Sequence, residues 1–329
     1  MRLGGTKKLR EGFIVVVVLC TIIMLAVLLF TFNEQSRGNL FAVEDSKNSA
    51  QALNCAETGL NIAMAALERG DAIYSNGKLR NLLAGREDVD LADGTCSITV
   101  AEESSKLNLN LLKTSEGAPD RTRIDQMLRL IDLLNRRDFE VPPISYGIVP
   151  AIIDWIDSDE ETTSLAFVAH DNRGAESDYY SDLDPPYRCK NAPLNTTEEL
   201  LLIKGITPEV FDRIRDYVTV RGDGKININN ASQLVIESLS ENMDPALARM
   251  IVIRRREKPF SNLAELRDIP GMTTAVYQAI RQTATVRPQD SYYQVTSRGS
   301  AAGSDQTIVA LIQRKADANK LEIIQYKEL

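Results

Sequence analysis

Residues 13–32, FIVVVVLCTIIMLAVLLFTF, contain no charged side chain. A run of about 20 residues, wound as a helix, spans the ~30 Å hydrocarbon core of a bilayer. Arg2, Lys7, Lys8 and Arg10 precede it, opposed only by Glu11. That positive-inside bias places Met1 in the cytoplasm and the chain after Asn33 outside it. A removable signal would have a shorter apolar core and small residues at its end. Thr31-Phe32-Asn33-Glu34-Gln35 does not fit, so the run reads as a retained anchor. Beyond it, Leu40, Val43, Ala50, Leu53, Ala56, Leu60, Ala63, Met64 and Leu67 recur mostly three or four apart. This is an amphipathic stripe, and it predicts one helix from Phe13 to Glu68 that ends near Gly70 and Gly77. Such a helix is roughly 84 Å long.

Farther on the period changes. Cys96-Ser97-Ile98-Thr99-Val100 alternates and follows an Asp93-Gly94 turn, which predicts a strand. Lys106-Leu107-Asn108-Leu109-Asn110 and Lys225-Ile226-Asn227-Ile228-Asn229 share the pattern K-h-N-h-N, where h is apolar. Tyr292–Ser297, Thr307–Gln313 and Leu321–Tyr326 are three more strand candidates. Between the two boxes the pattern is helical, as in Arg123–Asn135, Ile148–Ile156, Thr196–Lys204 and Pro208–Val218. The expectation is therefore a sheet split in sequence by an α-helical insert of roughly 110 residues, near the usual size of a domain. An internal repeat crosses that boundary. Pro193–Thr207 aligns with Pro259–Thr273 at a constant offset, with Glu-Leu, Ile-x-Gly and Thr recurring in place. Each copy reads as a short helix with a capping pair, Asn195/Glu198 and Asn262/Glu265, then a glycine hairpin and a second helix. This resembles the helix-hairpin-helix unit.

Composition narrows the chemistry. The 329 residues carry a net charge of −8 and 43% hydrophobic side chains, which excludes a disordered or polytopic membrane chain. A single histidine excludes a multi-histidine metal site. From Asp154 to Asp184 ten carboxylates face Arg173 alone. Such a segment repels itself unless it is solvated or holds a cation. Calcium takes 6–8 hard oxygen ligands and needs no histidine. Asp154, Asp157 and Asp159 lie at a helix end, and Glu176 and Asp178 can close the shell from downstream. Paired-carboxylate hydrolysis by the same acids has no distinguishing pair, and no Gly-x-Ser-x-Gly, P-loop or zincin motif is present. In the repeat region, Arg254, Arg255 and Arg256 form the best candidate phosphate patch. The acidic whole and sparse aromatics argue against nucleic acid. Cys20 lies in the anchor, while Cys55, Cys96 and Cys189 face an oxidising compartment where at most one pair closes internally.

A basic leader ending in Gly12, then Phe13 and a two-part helix, resembles a type IV pilin or pseudopilin. That resemblance implies peptidase cleavage between Gly12 and Phe13 and methylation of the new N-terminus. The fifth mature position, usually Glu, is Val17 here. Together with Lys106–Asn110, Ile152–Asp159, Gly174-Ala175-Glu176, Glu199–Thr207, Lys225–Asn229 and Pro259-Phe260, these features resemble the K-type minor pseudopilins of type II secretion, the general secretion pathway protein K family. The resemblance implies an α+β pilin-like fold with a large α-helical insert. Its divisions are a leader at 1–12, a transmembrane segment at 13–32 and a periplasmic helix with first strands at 33–112. The insert is 113–224, and the return strand, second hairpin unit and last strands are 225–329. The resemblance also implies a single-pass inner-membrane protein with a periplasmic domain and no catalysed reaction. It acts at the pseudopilus tip with I- and J-type minor pseudopilins, the major pseudopilin, the assembly platform and the prepilin peptidase. It implies calcium in the insert, carried here onto Asp154, Asp157, Asp159, Glu176 and Asp178. The alternative is a membrane-anchored, competence-type DNA-binding protein or a type IV minor pilin that uses its hairpins.

Overall fold

A computed structural model describes residues 5–69, 77–114, 116–168, 172–288, 290–315 and 320–329. Gly70, His170 and Asp171 lie outside these residues. Helix α1 runs unbroken over Gly5–Glu68, through the Gly12–Phe13 junction and the charge-free run. Almost every residue from Val16 to Lys47 is exposed, so roughly 50 Å of helix stands clear of the folded part. The stripe is only half used. Leu40 and Val43 remain 67% and 68% exposed, and burial begins at Ala52.

From Ala52 onward α1 lies across a five-stranded antiparallel sheet, in the order β1 (Val89–Leu91), β2 (Gly94–Glu102), β7 (Asp290–Ala301), β8 (Ser304–Lys315) and β9 (Lys320–Glu328). The alternating strands predicted around Ile98 and after Tyr292 are all present and longer than the pattern suggested. Ala302 and Gly303, both at positive φ, form the two-residue turn that joins β7 to β8. The seam between α1 and the sheet holds small side chains. A Cβ on Gly299 would fall 2.0 Å from the Ala52 carbonyl oxygen, so only glycine admits the helix at this separation. Leu60, Leu67, Ile98, Val295 and Ile308 close a core around it.

Between β2 and β7 the chain builds a second, larger core of its own, around Met127, Leu130, Ile152 and Trp155. Its helices are α3 (Arg121–Arg137), α4 (Ile148–Ile156), α5 (Ser177–Ser181), α6 (Pro208–Ile214), α7 (Gln233–Ser238), α8 (Pro245–Glu257) and α9 (Thr274–Ile280), with α2 (Gly77–Leu83) beside the sheet. The two K-h-N-h-N boxes belong to this helical body and not to the main sheet, which corrects the expected split. β3 (Leu107–Asn108) pairs in parallel with β4 (Val218–Thr219), and β5 (Ile226–Asn227) pairs with β6 (Ala284–Thr285). The division at 224/225 therefore falls inside the helical body, and the sheet resumes at Asp290.

The physical reason lies in the asparagines. Asn110 Nδ2 donates to the Leu194 and Val220 carbonyls, and its Oδ1 accepts from Leu194 N. Asn229 Nδ2 donates to the Phe260 and Val286 carbonyls, and its Oδ1 accepts from Phe260 N. The partners correspond in the two copies, so the repeat is larger than the hairpin. It contains a box, a hairpin and the short strand that pairs with the box. The first helix of each hairpin is 3-10 rather than α, over Thr197–Leu202 and Leu263–Asp268. The second copy is capped by Asn262 and Glu265 as expected, but the first uses Thr196 and Glu199, one residue later than Asn195/Glu198. Glu102 and Glu103 join the two bodies. Glu102 accepts from Asn227 at 3.0 Å, and Glu103 accepts from Thr219 of the other copy.

Candidate metal centre

Helix α4 is apolar on every side and wholly buried, which carries Asp154 near its end into the core. The Asp154 Oδ1 accepts from Thr163 N at 2.8 Å, while its Oδ2 has no hydrogen-bond partner. One turn on, Asp157 closes the helix, donating its N–H to Ile153 O at 3.0 Å, and its Oδ1 is also unpartnered. Glu176 arrives from the other side, immediately before α5, with both carboxylate oxygens buried and without partners. One oxygen from each of the three lies within 4.8 Å of the others.

The loop that delivers Glu176 is held by a small antiparallel bridge, Ser164 to Arg173, and by Gly174 N donating to Thr163 O at 3.0 Å. Gly174 is required at this place because a Cβ there would sit 2.1 Å from Asp154 Oδ2. Lys204 Nζ donates to the Gly174 carbonyl, and Cys189 Sγ donates to the Asp154 carbonyl. Tyr180 stacks on Tyr187 and meets Trp155 edge-on at 5.2 Å, forming an aromatic floor.

Electrostatically the group is frustrated as it stands. Burial raises the Asp157 carboxyl from its ordinary 3.8 to about 6, with Asp159 and Asp154 adding repulsion. Burial raises Glu176 from 4.5 to about 8, with Asp154, Asp157 and Glu160 contributing. Asp154 is raised as well, first by burial. Four orphaned carboxylate oxygens in one buried spot are costly unless a cation or protons neutralise them. Hard anionic oxygens on three separate side chains suit calcium.

The structure thus brings together Asp154, Asp157 and Glu176 of the five expected ligands. Asp159 and Asp178 are exposed and lie outside the group. Asp159 uses Oδ1 to accept from Glu161 N in its own loop. Sequence reasoning missed Asn191, held at φ 49°, whose Nδ2 donates to Asp159 O and Glu160 Oε1 while its buried Oδ1 has no partner. It also missed Glu160, which accepts from Ser177 N and Oγ and so fixes the start of α5. Two cavities of about 420 and 480 Å³ lie elsewhere among the described residues, and neither is lined by these carboxylates.

The candidate phosphate patch is partly consumed by the fold. Arg254 donates to the Lys258 carbonyl and lies over the Phe260 ring, and Arg255 donates to the Ile228 carbonyl. Gly12 and Phe13 lie within α1, with Phe13 exposed. Cys55, Cys96 and Cys189 are buried thiols, the first two against the sheet and the third in the helical core.

Comparison with known proteins bears on the family and the fold. Two family models described as type II secretion system protein K match residues 105–223 and 226–287, which together make up the helical body. A type II secretion system protein K from Klebsiella pneumoniae is 23% identical over 288 residues, covering 85% of this chain and 83% of its own length. One from Aeromonas hydrophila is 30% identical over 145 residues, covering 42% of this chain and 40% of its own. In the crystal structure of the GspK-GspI-GspJ complex from enterotoxigenic Escherichia coli, one chain shares the fold with TM-score 0.65 at 18% identity, over 88% of this chain and 99% of that one.

Proposed function

The chain belongs to the type II secretion system protein K family, whose models cover more than half of it, and on that premise we propose that it starts or caps the pseudopilus from its tip. It is a minor pseudopilin of the type II secretion system. The observation that carries the tip placement is lateral bulk. A helical body larger than the sheet is inserted between β2 and β7, beside the helix on which neighbours would stack. Such a subunit has room at an end and little inside a thin fibre. Val17 points the same way, since a first subunit has no neighbour ahead whose N-terminal ammonium needs a carboxylate in lipid.

In this reading α1 anchors the protein once across the inner membrane, with both bodies in the periplasm. The prepilin peptidase cuts at Gly12–Phe13 and methylates Phe13. The exposed helix up to Lys47 packs against I- and J-type minor pseudopilins and the major pseudopilin as the assembly platform draws it from the bilayer. That the structural neighbour belongs to a GspK-GspI-GspJ complex supports the I- and J-type partners. The sheet on α1 is read as pilin-like, and the paired hairpins as a helix-hairpin-helix scaffold that holds no DNA. The protein works by assembly rather than by catalysing a reaction. Calcium at Asp154, Asp157 and Glu176 supplies positive charge that ties the end of α4 to the start of α5. The mass of the mature N-terminus tests the class. An N-methylated Phe13 is expected, and an intact Met1 or a cut beyond Phe32 would refute it.

A further inference from the structure

Three thiols lie beyond the membrane-spanning run, and the two cores separate them. Cys189 belongs to the helical core beside Asp154, whereas Cys55 on α1 and Cys96 on β2 lie on the two sides of the seam between α1 and the sheet. The seam can be triangulated through two glycines. Cys96 on β2 faces Gly299 on β7 in the strand register. A Cβ on Gly299 would lie 2.9 Å from Cys55 Cβ. One helical turn past Cys55, a Cβ on Gly59 would lie 3.1 Å from Cys96 Sγ. Cys55 therefore packs against Gly299, the register partner of Cys96, and Cys96 packs against Gly59, one helical turn from Cys55. Both are buried, at 3% and 0% exposure. Burial raises the Cys96 thiol, and the nearby Cys55 adds to that rise.

From this geometry we infer that Cys55 and Cys96 form a disulfide in the mature protein, stapling the distal half of α1 to β2. The inference rests on the proposed periplasmic placement, because such bonds persist in oxidising compartments. The chemistry balances by exchange with a disulfide-bearing oxidase. One thiolate attacks the oxidase disulfide, and the second displaces the mixed disulfide. Two electrons and two protons leave on the oxidase dithiol while one S–S bond forms in the chain. Burial raises the Cys55 thiol and the Cys96 thiol, so neither is a good nucleophile once the seam has closed. Oxidation therefore belongs to the folding stage, before α1 docks. The bond closes a loop of about 40 residues, long enough to constrain the unfolded chain strongly. Mechanically, force along the lipid-borne half of α1 reaches the sheet through this seam, and a covalent link there keeps the helix from peeling away.

The test uses the full chain extracted from membranes. Thiols are alkylated under denaturing, non-reducing conditions, and the digest is read by mass spectrometry. A Cys55–Cys96 linked peptide, about 2 Da lighter than its reduced parts, with Cys189 alkylated, is the expected result. A second sample is unfolded, reduced and refolded with glutathione disulfide. Linkage there with alkylated thiols in the cell sample would overturn the staple through the compartment. Alkylated Cys55 and Cys96 in both samples would overturn it through the geometry.

Discussion

Replacing Glu176 with Gln separates a cation site from a merely buried acidic cluster. Both Glu176 oxygens are unpartnered beside Asp154 and Asp157, and the carboxyl is raised from 4.5 to about 8. A shift of that size, at 1.36 kcal/mol per unit, means that keeping Glu176 in the fold costs about 4 kcal/mol at pH 7.5 in the absence of metal. Gln removes that cost, and its amide N–H groups can donate to the orphaned Asp154 Oδ2 and Asp157 Oδ1. After allowing for solvent screening and relaxation, roughly 2 kcal/mol of stabilisation is expected in chelator, or about 4–8 °C in melting temperature. With calcium the order reverses. The wild type gains about 2.7 kcal/mol at a calcium level of 100 times Kd, and the variant, lacking a ligand, gains little. The assay is a pair of thermal melts of each protein, in chelator and in millimolar calcium. Equal calcium shifts for Glu176→Gln and wild type, or a variant less stable in chelator, would show that Glu176 is not a cation ligand.

The same carboxylates set the pH profile. For an acid whose folded pKa is raised, the folded state holds more protons, so stability is complete below the unfolded value and falls as pH rises towards the folded one. In chelator, urea unfolding should show stability dropping from about pH 4 to pH 8, as Asp157 at about 6 and Glu176 at about 8 ionise, and calcium should abolish the drop. A chelated profile that rises over this window would contradict the arrangement. Asn110→Ala and Asn229→Ala each remove three hydrogen bonds to corresponding backbone groups of the two hairpins. Each should cost about 2–4 kcal/mol in urea titration, and the two costs should be similar. A neutral result for either would show that the duplicated asparagine lock is not holding its hairpin.

The long apolar N-terminal helix and the strands after Tyr292 were legible because each is a sustained period, and such patterns survive tertiary context. The K-h-N-h-N boxes misled because a few alternating residues do not specify a partner. Asn108 and Asn227 each turn their Oδ1 back onto the N–H two residues on and end the strand at two residues. The stripe from Leu40 to Leu67 was continuous in sequence, but contact with the sheet reaches back only to Ser49, where Gln306 Nε2 donates to Ser49 Oγ, so Leu40 and Val43 stay bare. Carboxylate density located the candidate centre, and it could not rank the acids. Asp159 and Asp157 differ by two positions, yet one caps a buried helix and the other points to solvent. Gly174 and Asn191 have no local signal, since their roles come from a loop folding back over Asp154. The repeat was visible in its hairpins, and its full extent appeared only when Asn110 and Asn229 were seen holding matching carbonyls.

The proposed place at the tip of the fibre follows from a helical body whose bulk leaves little room for it within the shaft. Immunogold labelling of sheared pseudopili, with antibody raised against the helical body of residues 105–287, tests it directly. Gold at one end of each fibre and bare shafts are expected. Label distributed along the shaft would contradict it.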